Sequence, residues 1–225
     1  MEDIAHLLDL ANHHPDTTEA QIVDICQKVK KYGFNTAFVN PFYIQMAKSQ
    51  GVKVGTVISF PLGAETLSVK SGCAESYASL GADELDVSLN VGYLKSGKWT
   101  ECLVEVKAVI ASAKLINPKI IVKFIPETGY LTDDEIKKTA EILVEGGADF
   151  FKTCSGLGPR GATTKDVQLV RQAVGDKIKI KVAGGITSFD QAQSFILAGA
   201  NRIGTSHAVE IVERISSKNQ LAHVE

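Results

Sequence analysis

A short motif that recurs at the same point in the local pattern constrains this chain more than any other feature. Gly81-Ala82-Asp83, Gly147-Ala148-Asp149 and Gly199-Ala200-Asn201 each follow a helix-like segment and precede a strand-like one, and Gly33-Phe34-Asn35 is a looser copy. Glycine at that point reads as a helix C-cap, followed by a short turn and a buried strand. Repeated units of this kind imply βαβ crossovers and a parallel sheet. The expected strands lie at 36–39, 54–58, 84–87, 120–124, 150–153, 178–182 and 202–204, with another near 7–10. Amphipathic stretches at 67–80, 101–115, 133–145, 165–174 and 189–197 supply helices between them. Thr132 with Glu135 carries the signature of a capping box.

Eight strand–helix alternations suggest a closed (β/α)₈ barrel of the TIM type; a doubly wound open sheet is the alternative. Alternation within the strands favours the barrel, whose strands turn one face to the helices and the other to the interior. In Ile178-Lys179-Ile180-Lys181-Val182 apolar residues alternate with lysines, and in Glu84-Leu85-Asp86-Val87-Ser88 with polar residues. With the apolar positions facing the helices, Lys181 and Asp86 face inward near the strand C-termini, the end that carries the active site in barrel enzymes. A length of 225 residues without an evident linker fits one such domain over residues 1–225.

Bulk composition narrows the function classes. Lys+Arg 24 against Asp+Glu 26 gives a formal net charge of -2, which argues against a general nucleic-acid or membrane-surface binder. Cys26, Cys73, Cys102 and Cys154 are scattered and form no C-x-x-C pair, as in a reduced cytoplasmic protein. Met1-Glu2-Asp3 opens no basic-then-apolar run, so no secretory signal is expected, and no apolar stretch approaches membrane-span length. The histidines, including the adjacent His13 and His14, show no metal-ligand spacing, so no catalytic metal is inferred.

The chemistry-bearing candidates lie at expected strand ends. Phe150-Phe151-Lys152-Thr153-Cys154 puts a lysine at the end of an apolar strand, where burial disfavours the ammonium and a neutral amine can attack an aldehyde. The plainer reading is a lysine snorkelling to the mouth or paired with an acid. Lys181, ending the next strand, adds weight to the chemical reading, because neighbouring ammonium groups repel and one then loses its proton more easily. Lys181 is read as the lysine that stays charged. Asp86 is expected to keep it so and to relay protons, and must then sit nearer Lys181 than Lys152; a structural ion pair is compatible with that role. Glycine-rich turns, Ala183-Gly184-Gly185-Ile186-Thr187 and Gly204-Thr205-Ser206, follow the last two strands, where barrels often bind phosphate, and favour a phosphorylated substrate. Gly156-Leu157-Gly158-Pro159-Arg160-Gly161 is ambiguous: Arg160 either touches phosphate or is solvated.

Taken together, Phe60-Pro61-Leu62-Gly63, Gly81 to Val87, Phe151-Lys152-Thr153, Gly161-Ala162-Thr163, Lys181 to Ile186 and Arg202 to Ser206 resemble the deoxyribose-phosphate aldolase family, in the family's order and over nearly the whole chain. The resemblance implies a class I aldolase with neither metal nor cofactor. Its expected small-molecule partners are a sugar phosphate and aldehydes: reversible cleavage of 2-deoxy-D-ribose 5-phosphate gives acetaldehyde and D-glyceraldehyde 3-phosphate. It implies that Lys152 forms the Schiff base, Lys181 is the second lysine and Asp86 the acid of the proton relay. Gly184, Gly185, Gly204, Thr205 and Ser206 then hold phosphate, with Asp9 and Thr153 in support. A homo-oligomer, as a dimer, follows from the family's habit.

Several positions depart from the family pattern. Leu10 and Ala11 stand where His and Thr are common, Arg160 where a second Gly is, Thr187 where Arg is and Cys154 where Ser or Thr is; the tail 221–225 lacks a tyrosine seen in some members. Two other readings stay open: a Schiff-base barrel aldolase with a different phosphorylated or keto-acid substrate, and a non-catalytic sugar-phosphate-binding barrel.

Overall fold

The computed structural model of the protein describes residues 4–214; the Met1-Glu2-Asp3 opening and the 221–225 tail lie outside the described residues. Eight parallel strands close into a barrel in chain order. They are β1 (Leu8–Asn12), β2 (Thr36–Val39), β3 (Val54–Ile58), β4 (Glu84–Ser88), β5 (Ile121–Ile125), β6 (Phe150–Lys152), β7 (Lys179–Ala183) and β8 (Arg202–Thr205), with β8 pairing back onto β1. The open-sheet alternative is thereby set aside. Around the barrel run α1 (Glu19–Tyr32), α2 (Ile44–Ser49), α3 (Leu67–Ser79), α4 (Val91–Lys95), α5 (Trp99–Ile116), α6 (Asp133–Gly146), α7 (Thr164–Val174), α8 (Phe189–Leu197) and α9 (Ala208–Glu213).

The helices start where the sequence offers a cap. Thr18, Thr132, Thr163 and Ser188 each accept a hydrogen bond from the backbone N–H three residues on, and the side chain of that residue closes a full capping box. At the other end, Gly33 and Gly147 take left-handed conformations as C-caps of α1 and α6.

The repeat has a second function that its sequence did not disclose. Its third residue stitches each unit to the strand before. The backbone N–H groups of Asp83, Asp149 and Asn201 donate to the carbonyls of Val54, Val122 and Ile180 at 2.8–3.0 Å. Their side-chain oxygens accept from the N–H groups of those same three residues, at 2.8, 2.9 and 2.8 Å. A short acceptor is therefore needed at that position, and Asp or Asn supplies it. In the looser copy only the backbone half survives, from Asn35 to Leu8 at 2.8 Å.

Strand alternation sorts the side chains as expected. Leu85, Val87, Val122, Phe124, Phe151, Ile180 and Val182 pack into the apolar shell beneath the helices. The interior holds Phe38 and a set of charges. A Cβ on Gly55 would fall 2.3 Å from the Phe38 ring, so glycine on β3 is what lets this ring lie across the barrel.

Candidate active site

Seven charged side chains meet inside the barrel, and their connections follow from register. Lys152 lies beside Lys181 across β6 and β7, Lys181 beside Arg202 across β7 and β8, and Asp86 beside Lys123 across β4 and β5. Asp86 Oδ2 accepts from both Lys152 Nζ and Lys181 Nζ at 2.8 Å, while its Oδ1 accepts from Lys123 Nζ at 3.0 Å. Lys123 also pairs with Glu84. Lys181 Nζ lies 2.8 Å from Asp9 Oδ2, and Arg202 Nη1 donates to Asp9 Oδ1 at 2.8 Å. Gly204 makes room for this arrangement, since a Cβ there would come within 2.8 Å of Lys181 Cε. Thr153 is buried beneath the mouth, where its Oγ1 accepts from the Ala183 N–H at 3.2 Å and fixes β6 against the end of β7.

Three carboxylates thus face four cations. With every group ionised the cluster carries one excess positive charge in a poorly solvated interior, and release of a single lysine proton removes it. Arg202 does not release one under any ordinary condition. Lys123 touches two carboxylates; burial works against its charge, but Asp86 and Glu84 outweigh that and raise its pKa. Burial also opposes ionisation of Asp86, yet Lys123, Lys152 and Lys181 together hold its carboxyl well below the usual range. Glu84 behaves alike, with burial overcome by Lys123 and Arg202 and the carboxyl held at about 2.

One expectation about this cluster is corrected. Asp86 is not nearer Lys181: one oxygen serves both amines at 2.8 Å. At Lys181, burial, reinforced by Lys123 and Lys152, pulls the pKa down against the attraction of Asp86 and Asp9. The reason is depth. Lys181 is 1% exposed and lies with Nζ 3.5 Å from the centre of the Phe38 ring.

Above the cluster a cavity of about 370 Å³ opens at the C-terminal mouth. Lys152 and Lys181 reach its floor, and Gly184, Gly185, Gly204, Thr205 and Ser206 line its wall, so the expected amines and glycine-rich turns share one chamber. Asp86 and Asp9 are fully buried beneath it. Gly184 and Gly185 both have positive φ, and a Cβ on Gly184 would strike Cys154 Sγ at 2.7 Å. Arg160 does not line the chamber: it stays solvent-exposed while its guanidinium forks onto Asp166 at 2.8 and 2.9 Å and donates to the Thr128 carbonyl, pinning the loop after β6 to the start of α7.

Sequence reasoning missed Lys123, Arg202 and Glu84 as members of the cluster. Lys123 carried the same signal as Lys181, a lone lysine in an apolar strand, Ile121-Val122-Lys123-Phe124-Ile125. It also passed over His13, whose ring lines the chamber on the loop after β1. Among the described residues no group of three or more His, Cys, Asp or Glu is arranged to hold a metal ion.

A closed parallel barrel whose mouth presents a lysine pair on one carboxylate, facing glycine-rich turns, defines the aldolase class of barrel enzyme. Residues 4–207 match the model of the DeoC/LacD family aldolases, and the chain belongs to that family. It is 43% identical over 218 residues to the deoxyribose-phosphate aldolase of Carboxydothermus hydrogenoformans, covering 95% of this chain and 96% of that one. Among solved structures, the aldolase QR15 superposes with a TM-score of 0.89 at 38% identity over the full length of both chains. The deoxyribose phosphate aldolase of Aeropyrum pernix, described as a tetramer, superposes with a TM-score of 0.86 at 30% identity, covering 96% of this chain and 92% of that one.

Proposed function

We propose that this aldolase reversibly cleaves 2-deoxy-D-ribose 5-phosphate to acetaldehyde and D-glyceraldehyde 3-phosphate, with Lys152 as the Schiff-base lysine. The observation that carries the reading is the shared carboxylate: Lys152 and Lys181 meet on Asp86 Oδ2, and only the Lys152 end of the cluster combines a single carboxylate contact with access to the chamber. The neutral Lys152 amine attacks C1 of the open-chain sugar to give a carbinolamine, which loses water to leave an iminium. Acetaldehyde keeps C1 and C2, so the C2–C3 bond breaks. The C3 hydroxyl gives up its proton, C3 becomes the aldehyde carbon of glyceraldehyde 3-phosphate, and the bonding pair moves to C2 as an enamine. Protonation at C2 and addition of one water to the iminium release acetaldehyde and the amine. Lys181 and Asp86 are the groups placed to take and return these protons. Gly184, Gly185, Gly204, Thr205 and Ser206 offer backbone and hydroxyl donors to the phosphate, away from the reacting carbons, so that binding there orients the chain.

The test is borohydride reduction in the presence of acetaldehyde, read by peptide mass. A two-carbon adduct on Lys152 supports the assignment; labelling elsewhere, or none, refutes it. The reading extends to a cytoplasmic protein, with support from four free cysteines, and to a homodimer. Light scattering on the purified chain decides the oligomeric state.

A further inference from the structure

The loop after β1 is tied down on both sides of His13. Asn12 Oδ1 accepts from His14 N at 3.0 Å and from Thr17 Oγ1 at 2.9 Å. The His14 carbonyl accepts from Thr17 Oγ1 at 2.8 Å and Asn40 Nδ2 at 3.1 Å, and Tyr43 Oη donates to the Thr17 carbonyl at 2.6 Å. These bonds bracket His13, whose ring is gripped between Phe60, at 5.4 Å between centroids, and Phe38, at 6.4 Å. Its Nδ1 is buried and meets no well-formed hydrogen bond among the described residues; the Asn40 side chain approaches the ring and favours its protonated form only weakly against burial. A polar atom held rigidly and left bare at a substrate chamber is costly unless something in the working complex pairs with it.

The ligand must suit a neutral imidazole. Burial, then the Lys152 charge, pushes the His13 pKa down to about 3, so the ring is uncharged at ordinary pH. A neutral imidazole offers either a bare nitrogen or an N–H at Nδ1, according to tautomer. A hydroxyl satisfies both cases, because it donates and accepts. An anion satisfies only one, and the glycine-rich turns across the chamber are better placed to take it.

Position then selects the hydroxyl. The Phe60 ring lies 5.7 Å from Lys152 Nζ and 5.4 Å from His13, so the imidazole stands beside the carbon chain that Lys152 would hold. In the proposed reaction, C1 is on Lys152 and the phosphate is at the glycine turns. The C3 oxygen is the reacting atom, served by Asp86 and Lys181. The C4 hydroxyl is what remains between them.

We infer that His13 is a specificity-determining residue, whose Nδ1 hydrogen-bonds the C4 hydroxyl of the sugar phosphate, which is the 2-hydroxyl of the phosphorylated acceptor aldehyde. This rests on the substrate reading above. It assigns His13 no proton transfer and no contact with the Schiff base.

The experiment compares acetaldehyde addition to D-glyceraldehyde 3-phosphate and to 3-oxopropyl phosphate, which lacks that hydroxyl. The parent protein should favour the hydroxylated acceptor in kcat/KM. His13→Leu should cut that preference about tenfold, the scale of one lost hydrogen bond. His13→Asn, which restores a polar atom near the Nδ1 position, should recover part of it. A structural residue would lower both reactions alike, so an unchanged ratio in His13→Leu overturns the inference. Absence of any preference in the parent overturns it without a variant, whether or not the variants fold. Acetaldehyde trapping on the parent separates the two claims: no adduct on Lys152 defeats the substrate reading itself, whereas a normal adduct with no preference defeats only the role of His13.

Discussion

Two parts of this molecule bury lysine completely, and they treat it differently. Between α3 and α5, Lys70 is sealed from solvent, pairs with Glu105 at 2.7 Å and donates to the Ser88 carbonyl at 2.9 Å. One cation meets one anion, and burial, partly offset by Lys70, pushes the Glu105 carboxyl upward. In the barrel, three lysines and an arginine share three carboxylates, and two of the amines, those of Lys152 and Lys181, reach a cavity. Burial of a lysine is therefore no sign of chemistry. What separates the two regions is unmatched charge together with access.

Exchanging one lysine from each region gives the largest contrast. Lys152→Ala should fold normally and lose cleavage by several orders of magnitude, as removal of a nucleophile does elsewhere. Lys70→Met should do the reverse. It leaves Glu105 buried without its cation, accepting from the Asn90 N–H at 3.3 Å, at a cost of about 3–5 kcal/mol in stability, with kcat/KM little changed. Urea unfolding and steady-state assays on both variants check the pair; substantial activity in Lys152→Ala breaks the comparison.

Lys181→Leu sharpens it. Removing one cation takes away the excess positive charge and leaves Asp86 to hold Lys152 as ammonium. Turnover at neutral pH should fall on the order of a hundredfold, and the midpoint of acetaldehyde trapping should move to higher pH. A trapping profile identical to the parent's would leave Lys181 with proton transfer alone.

A smaller effect is expected in acid. Glu84 and Asp86 have depressed carboxyl pKa values when folded, so the stability they contribute is whole above the ordinary carboxylate range and is lost as pH falls through the folded values. For Glu84 that window runs from about 4.5 down to about 2. His13 adds an earlier component. Below about 6.5 the unfolded chain takes up a proton that the folded chain refuses until about 3. Urea midpoints between pH 7 and 2 should therefore fall in two stages, and His13→Leu should flatten the first. The smallest effect is none: EDTA should leave turnover unchanged, and loss with recovery on adding a divalent ion would refute a lysine-only site.

Most of the barrel was legible because its repeat marks each αβ junction in local chemistry. β2, β3 and α8 begin and end where expected. β5 and β7 start one residue later than expected, at Ile121 and Lys179, and β8 runs on to Thr205, because ladder pairing with neighbours, not composition, sets strand ends. Lys152, Lys181 and Asp86 were visible as polar residues breaking apolar strands. The carboxylate sharing was not, because a sequence gives a residue's face but not the distance between two side chains. His13 was hidden for another reason. It sits on a loop with no periodicity, and its surroundings come from β2 and the loop after β3.

Phe38 has a consequence beyond packing. Its ring lies across the barrel against both Lys181 and Lys123, and the groups around it are closed to solvent. The chamber therefore has a floor as well as a mouth. A sugar phosphate in the opening covers the amines beneath it, and Lys181 and Asp86 are then the nearest groups to take and return a proton. Aldol cleavage suits such a site, because every proton it borrows from the hydroxyl or lends to the enamine is returned within the cycle.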